Sequence, residues 1–150
     1  PFDCWLITRG IKTLPLRLER QTKNASALAD FLAEHPLIEW IRYPFRLDHP
    51  QHELAKQQMK NGGGIITARL KANKLQAYEF CKRLNYFKMA ESLGGVESLI
   101  CHPATMTHAS ISTETKSKLG INESLLRLSV GCEDLKDLHA DLAQSLEAIT

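Results

Sequence analysis

The residue with the clearest chemical potential is an arginine in an otherwise apolar segment. Arg127 lies in segment 125–131, where Leu126, Leu128 and Val130 occupy alternate positions, as on one face of a strand. Arg127 points to the opposite face, and its leucine and valine neighbours should shield it from bulk water. A partly desolvated guanidinium needs an anion, and its planar fork suits a carboxylate. The pattern predicts either a carboxylate ligand site or an ion pair with a structural Asp or Glu.

The second candidate is a polar pair in front of two glycines. Segment 90–100 is predicted to form the end of a strand, a turn and a second short strand, with Gly94 and Gly95 at the turn. Glycine adopts positive φ readily and lets other groups approach the backbone. Glu91 and Ser92 would therefore be displayed where the chain reverses. Most Gly-Gly turns have no ligand-binding role, so this turn is not by itself evidence of a site. Residue spacing alone therefore leaves Arg127 as the one anion-binding candidate.

Other chemistry has less support. His49 and His52 are three residues apart, but no Cys or carboxylate set accompanies them, so we predict no metal site. His102 and His108 lack a Ser or Cys partner at a recognisable spacing, which argues against a catalytic triad. The glycine triplet 62–64 follows a predicted helix, whereas phosphate-binding fingerprints follow a strand and open a helix. It is therefore predicted to be a helix cap and loop.

Composition indicates one globular domain of 150 residues, with 43% hydrophobic and 24% charged residues. The net charge of +2 and the scattered Lys and Arg exclude an obvious nucleic-acid partner, and no apolar run is long enough to cross a membrane. We predict free thiols in a reducing cytoplasm, since no Cys-x-x-Cys spacing occurs. The N-terminus does not look like a signal peptide, and it lacks an initiator Met, which suggests an excised piece. The four cysteines are Cys4, Cys81, Cys101 and Cys132.

Helical periodicity dominates the N-terminal fifth of the chain. Residues 3–34 are predicted to be helical with a break near Arg9-Gly10, after which Thr13 caps a second helix with Pro15 in its first turn. This helix is either a connector or an ordinary packing helix. Its predicted apolar stripe consists of Leu14, Leu18, Gln21, Ala25, Leu28 and Leu32.

Three further helices and five strands complete the prediction. A helix covers 50–60, another begins at Asn73, and the last begins at Asp134, whereas 102–118 is predicted to be a surface loop with at most one helical turn. The apolar positions of the middle helix are Leu75, Tyr78, Cys81 and Leu84, and those of the last are Leu135, Leu138, Leu142, Leu146 and Ile149. Strands are predicted at 37–43, 65–70, 86–90, 96–101 and 124–131. This order favours an α+β sandwich, a small mostly antiparallel sheet with helices on one face.

Three segments together resemble a known enzyme family. They are 90–100 (AESLGGVESLI), 102–109 (HPATMTHA) and 126–134 (LRLSVGCED). They are similar to the C-terminal domain of the pyridoxal-phosphate (PLP) enzymes of cysteine and methionine metabolism, the trans-sulfuration enzymes such as cystathionine γ-synthase and γ-lyase. Smaller matches in the family's order are segment 9–14, Asn24-Ala25, Tyr43-Pro44, His49-Pro50 and Gly63-Gly64. The resemblance covers essentially the whole chain and departs at 45–48, where relatives usually have a glycine.

The resemblance implies the fold of the small C-terminal domain of fold-type-I PLP-dependent transferases. Residues 1–150 would form that domain, with a linking helix at about 3–34. In the family, a larger upstream domain holds PLP and the lysine that binds it covalently, and that domain is absent here. The resemblance therefore implies no catalytic or cofactor-binding residue in this chain, which would bind no PLP and be inactive alone.

The resemblance also implies roles for individual residues. Arg127 matches the arginine that binds the substrate α-carboxylate, and Ser92 matches a serine that helps to hold the same carboxylate. Glu91 matches a variable position at which an acid could meet the distal ammonium group of cystathionine. Leu93 completes the expected substrate-binding set.

The implied reaction of the whole enzyme is γ-replacement or γ-elimination on cystathionine or an O-acylhomoserine, with cysteine as a further substrate. The implied partners are the protein's own N-terminal PLP domain and, since family enzymes are tetramers built from dimers, other copies of the chain. Two alternatives remain open, a non-catalytic binding module with the same fold and a structural module that mediates oligomer contacts.

Overall fold

The computed structural model describes residues 1–149, which form six helices and five strands. The elements are α1 (Phe2–Ile11), α2 (Leu14–Glu34), β1 (Ile38–Arg42), α3 (His52–Gln58), β2 (Ile65–Leu70), α4 (Lys74–Arg83), β3 (Lys88–Met89), β4 (Leu99–Cys101), α5 (Thr113–Lys118), β5 (Leu125–Ser129) and α6 (Leu135–Glu147). The predicted order of strands and major helices is confirmed.

The strands form one sheet in the order β1-β2-β5-β4-β3, with β5 at its centre. The β1–β2, β2–β5 and β4–β5 pairs are antiparallel, and the short β3–β4 pair is parallel. Cross-strand register places Thr67, Arg127 and Cys101 side by side. Because successive residues of a strand face opposite sides, these three share one face and their chain neighbours share the other.

The hydrophobic core lies between one face of the sheet and helices α2, α4 and α6. The sheet contributes Ile66, Ala68, Leu70, Ile100, Leu126 and Leu128, all buried, and the helices contribute Leu28, Leu32, Phe80, Leu138, Leu142 and Leu146. Each of the Ile, Leu and Phe side chains in this core stabilises the fold by about 1.5–3 kcal/mol through burial. The α+β class, with a mostly antiparallel sheet and its helices on one face, is confirmed.

The predicted stripe of α2 is correct only in the C-terminal part of the helix. Gln21, Ala25, Leu28 and Leu32 are buried, whereas Leu14 and Leu18 are exposed. Residues 1–16, which include helix α1 and the first residues of α2, are all exposed, and none of the residues of α1 is buried. No described element covers this end, so its apolar positions face outward.

The predicted buried face of α4 is partly wrong. Cys81 and Leu84 are buried as predicted, but Leu75 is 80% exposed, and the helix also buries Ala77 and Phe80, which were not predicted. The start of the helix is fixed by a capping box in which Asn73 accepts from the N–H of Gln76 and the Gln76 side chain accepts from the N–H of Asn73. From that start, the face centred on Phe80 buries the largest side chain, so Leu75 remains in solvent.

Two loop predictions are corrected. Because β3 and β4 are parallel, residues 90–98 form a loop between parallel strands and not a chain-reversing hairpin turn. Segment 102–118 includes helix α5, and its first residues are buried rather than on the surface. His102 explains this burial, since its Nδ1 lies 2.7 Å from Thr105 Oγ1 and its Nε2 lies 2.9 Å from the carbonyl oxygen of Glu123. The bond to Glu123 ties the segment to the residues just before β5.

Candidate functional site

Arg127 lies in the middle of β5, on the sheet face opposite the core, and it is half-buried. Its Nη2 donates hydrogen bonds to the carbonyl oxygens of Glu91 at 2.7 Å and Ser92 at 3.2 Å. Its Nε is buried and has no hydrogen-bond partner within residues 1–149. Within the same residues, no Asp or Glu forms an ion pair with it. The structural ion pair is therefore not found, and the guanidinium keeps an uncompensated charge that an anion can neutralise.

The site loop, residues 90–98, runs beside β5 and the residues that follow it. The backbone N–H of Gly94 donates to Ser129 Oγ at 2.8 Å, and the N–H of Cys132 donates to the carbonyl of Val96 at 2.8 Å. Gly94 has a φ of 78°, a backbone conformation that residues other than glycine rarely adopt. The loop backbone is thereby held close to Arg127.

The predicted site residues Glu91 and Ser92 contact Arg127, but through their backbone carbonyl oxygens and not through their side chains. The side chains of Glu91, Ser92 and Leu93 are exposed, which leaves them available to a ligand that approaches this edge. No described contact joins Leu93 to the guanidinium.

Sequence reasoning missed the residues that hold the site loop in place. Gln21, which periodicity places in the apolar stripe of α2, is buried and donates its side-chain amide to the carbonyl of Gly95. Ser129 shares the predicted strand face of Arg127, and its hydroxyl accepts from Gly94. A glutamine inside an otherwise apolar stripe is the available signal, because a buried amide needs partners.

A cavity of about 780 Å³ elsewhere on the surface is a weaker anion site. Its cations are already paired, since Arg69 Nε lies 3.0 Å from Glu39 and Lys74 Nζ lies 3.1 Å from Glu123. Lys116 donates to two backbone carbonyl groups.

Within residues 1–149, no group of three or more His, Cys, Asp or Glu side chains is placed to hold a metal ion. None of the helices in this described part of the chain has the length and apolar character needed to span a bilayer.

Comparison with known proteins identifies the family. The sequence profile described as "Cys/Met metabolism PLP-dependent enzyme" matches residues 1–147. The chain belongs to this family. It is 50% identical to a cystathionine γ-lyase of Dictyostelium discoideum over 98% of its length, and 49% identical to a cystathionine γ-synthase of Mycobacterium bovis over 97%. It is also 48% identical to a cystathionine β-lyase of Coxiella burnetii over 97% of its length. The chain spans 37–38% of the length of these relatives.

Solved structures of the family have the same fold. Cystathionine γ-synthase from Xanthomonas oryzae pv. oryzae, in complex with aminoacrylate and cysteine, superposes with a TM-score of 0.96 and 42% identity. The structure of that enzyme with cystathionine gives a TM-score of 0.95 at 42% identity. In both cases the match covers 99% of this chain and 38% of the solved one.

The described residues do not by themselves fit PLP. A lysine that binds PLP covalently is activated by desolvation or by a neighbouring charge. Every lysine of residues 1–149 is exposed except Lys116, which is half-buried and donates to the carbonyls of Ala104 and Ala109. None of these lysines lies on β5 or in the site loop.

Proposed function

We propose that this chain recognises the substrate α-carboxylate within a PLP-dependent enzyme of trans-sulfuration. One observation carries the proposal: Arg127 holds its guanidinium against two carbonyl groups, with no acid paired to it in residues 1–149 and with its Nε unbonded. Neutral carbonyls orient a guanidinium without cancelling its charge. An amino-acid carboxylate supplies the missing negative charge and matches the fork of the guanidinium.

Charge-assisted hydrogen bonds of about 1.5–3 kcal/mol each fix the orientation of the bound amino acid. Arg127 is the main ligand, and Ser92 supports the same carboxylate from the site loop. Glu91 and Leu93 face the remainder of the substrate, where the acid at Glu91 suits a distal ammonium group. With its carboxylate fixed, the amino acid presents its Cα in one defined orientation.

PLP and its lysine belong, in this proposal, to another part of a longer protein. Residues 1–150 are the C-terminal small domain, and the helices at about 3–34 link it to the cofactor-binding part. The chain alone is then inactive, because the described lysines are unsuited to hold PLP. The reaction of the whole protein is γ-replacement or γ-elimination on cystathionine or an O-acylhomoserine, with cysteine as a further substrate. The relatives include both synthases and lyases.

The proposed setting is the cytoplasm, with the whole protein a homo-oligomer. All four cysteines are free thiols, which is typical of proteins in reducing compartments. The exposed apolar residues of α1 favour contacts with further protein surface.

The test is Arg127→Lys in the full-length protein. Lysine keeps the charge but cannot form a planar bidentate contact, so KM for cystathionine or O-succinylhomoserine should rise by at least about tenfold. Arg83→Lys is the matched control, because within residues 1–149 the Arg83 side chain forms only an exposed pair with Glu79. An unchanged KM in Arg127→Lys would overturn the assignment.

A second candidate function is a non-catalytic binding or oligomerisation module with the same fold. The observation that favours it is α1, whose apolar side chains include Phe2, Trp5 and Ile7, all exposed. Absorbance of bound PLP distinguishes the two candidates. This chain and a longer protein that includes the upstream sequence are both measured. A PLP absorbance band in the longer protein, together with turnover of cystathionine, supports the enzyme function. If neither protein shows the band, the non-catalytic module is supported.

A further inference from the structure

The carboxylate of Glu133 holds the end of the site loop that adjoins β4. Its Oε1 accepts from the backbone N–H of Ser98 at 2.6 Å, and its Oε2 accepts from the Ser98 hydroxyl at 2.9 Å. The Ser98 hydroxyl in turn accepts from the N–H of Gly131 at 2.9 Å. Ser98 is fully buried and Glu133 is half-buried, so the network is partly shielded from competing water.

The backbone of Glu133 is fixed from the opposite side by α2. Its carbonyl oxygen accepts from Asn24 Nδ2 at 3.0 Å and from Arg20 Nη2 at 3.1 Å. Within residues 1–149, no Lys, Arg or His forms an ion pair with the Glu133 carboxylate. Both carboxylate oxygens bond to Ser98 instead, so Glu133 acts through hydrogen-bond geometry and not through charge pairing.

Arg127 depends on the same loop. Within residues 1–149, its Nη2 bonds only to the carbonyl oxygens of Glu91 and Ser92, at the other end of residues 90–98. A shift of the loop therefore displaces the acceptors that orient the guanidinium. Contacts through Gly94, Gly95 and Val96 hold the middle of the loop, and Glu133 holds its end.

We propose that Glu133 is a positioning residue for substrate binding: by bonding Ser98, it sets the position of the site loop and hence of the Arg127 guanidinium. The inference rests on the proposed function, in which Arg127 binds the substrate carboxylate. Glu133 acts through the loop and does not contact the substrate.

The test measures KM and kcat for Glu133→Ala and Glu133→Gln in the full-length enzyme. Alanine removes both acceptors, so KM for cystathionine should rise by about tenfold while kcat changes by less than about threefold. Glutamine can accept from the Ser98 N–H and donate to the Ser98 hydroxyl, so it should restore most of the affinity although it carries no charge. Rescue by this neutral variant is an outcome that a purely electrostatic role would not give.

Asp141→Asn is the structural control. Asp141 is a buried carboxylate that, like Glu133, accepts from backbone N–H groups, in this case those of Asn85, Tyr86 and Phe87. We expect it to lower Tm with KM unchanged. If Glu133→Ala changes KM no more than Asp141→Asn does, Glu133 is only structural and the inference is overturned.

Two further variants separate the remaining outcomes. Ser98→Ala removes the hydroxyl bonds to Glu133 and Gly131 with a minimal change of shape. If Glu133→Ala does not fold, this variant tests whether the contact between Glu133 and Ser98 positions the site loop. A KM raised about threefold supports the inference, and an unchanged KM overturns it. Arg127→Lys is measured in parallel: if its KM is unchanged, the proposed function fails and this inference with it. If only Arg127→Lys raises KM, only the role of Glu133 fails.

Discussion

The backbone of Gly131 lies directly against the carbonyl oxygen of Val96, where the chain leaves β5 and passes the site loop. A Cβ atom added to Gly131 would meet that oxygen and would lie 2.6 Å from the carbonyl carbon of Glu97. Gly131 is not among the glycines with positive φ, so lack of space and not backbone conformation excludes a side chain. The close approach allows the N–H of Cys132 to donate to Val96 at 2.8 Å.

Gly131→Ala should therefore destabilise the fold. The added methyl group meets backbone on one side and the Glu133 carboxylate on another, so the loop must move, at a cost of about 1–3 kcal/mol. Thermal unfolding should show a lower Tm. Gly10→Ala is the control, because apart from its chain neighbours and its own helix backbone no atom of the described residues lies within 4 Å of its Cβ position, and alanine is the better helix former. A Tm for Gly131→Ala equal to that of Gly10→Ala would contradict the close approach.

Asp141 lies on α6 and binds the backbone N–H groups that follow the C-terminal end of α4. Its substitution should therefore lower the stability of the fold. Its carboxylate accepts from the N–H groups of Asn85, Tyr86 and Phe87 at 2.7, 2.8 and 3.2 Å. Asparagine keeps only one of the two oxygen acceptors, so Asp141→Asn should lower the free energy of unfolding by about 2 kcal/mol. Urea titration measures the loss. Glu147→Gln, at an exposed position of α6, the helix that carries Asp141, should change stability by less than about 0.5 kcal/mol.

The order of elements and the arginine of the site follow from local pattern, whereas the surroundings of that arginine do not. Alternation in 125–131 identifies β5, and the leucines after Asp134 identify α6, because both signals are local. The parallel pairing of β3 with β4 joins two very short segments, and nothing in their sequence specifies direction. Gln21 and Arg127 acquire their partners from loop carbonyls that only the tertiary fold brings near, 74 and 36 residues away.

The apolar surface of α1 should drive association of the isolated chain. Phe2, Trp5 and Ile7 are 69%, 54% and 63% exposed, and the Phe2 and Trp5 rings stack on each other with a centroid distance of 5.8 Å. Replacing Phe2 and Trp5 by serine should shift the chain toward monomer in sedimentation velocity. Leu75→Ser is the control, since Leu75 is even more exposed, at 80%, but lies on α4 and not on α1. Identical monomeric profiles for the unmodified chain and both variants would show that α1 does not associate.

Burial of Cys81 makes stability depend on alkaline pH. Desolvation, followed by the nearby Cys101, raises the pKa of the Cys81 thiol from 9.0 to about 12. The folded pKa lies above that of the unfolded chain, so the unfolded state releases this proton first as the pH rises. The favourable contribution is complete below about pH 9 and is lost between pH 9 and 12.

The free energy of unfolding should consequently fall by about 1 kcal/mol between pH 8 and 10 through this thiol alone. Urea titrations at the two pH values measure the change. Cys81→Ala removes the titrating group, so the variant should lose less stability over the same interval. Tyr43 supports the choice of pH 10 as the upper limit, since burial raises its pKa from 10.0 to about 12 and its contribution begins to decline only above pH 10. Equal losses for both proteins would mean that the folded state ionises Cys81 as readily as the unfolded chain does.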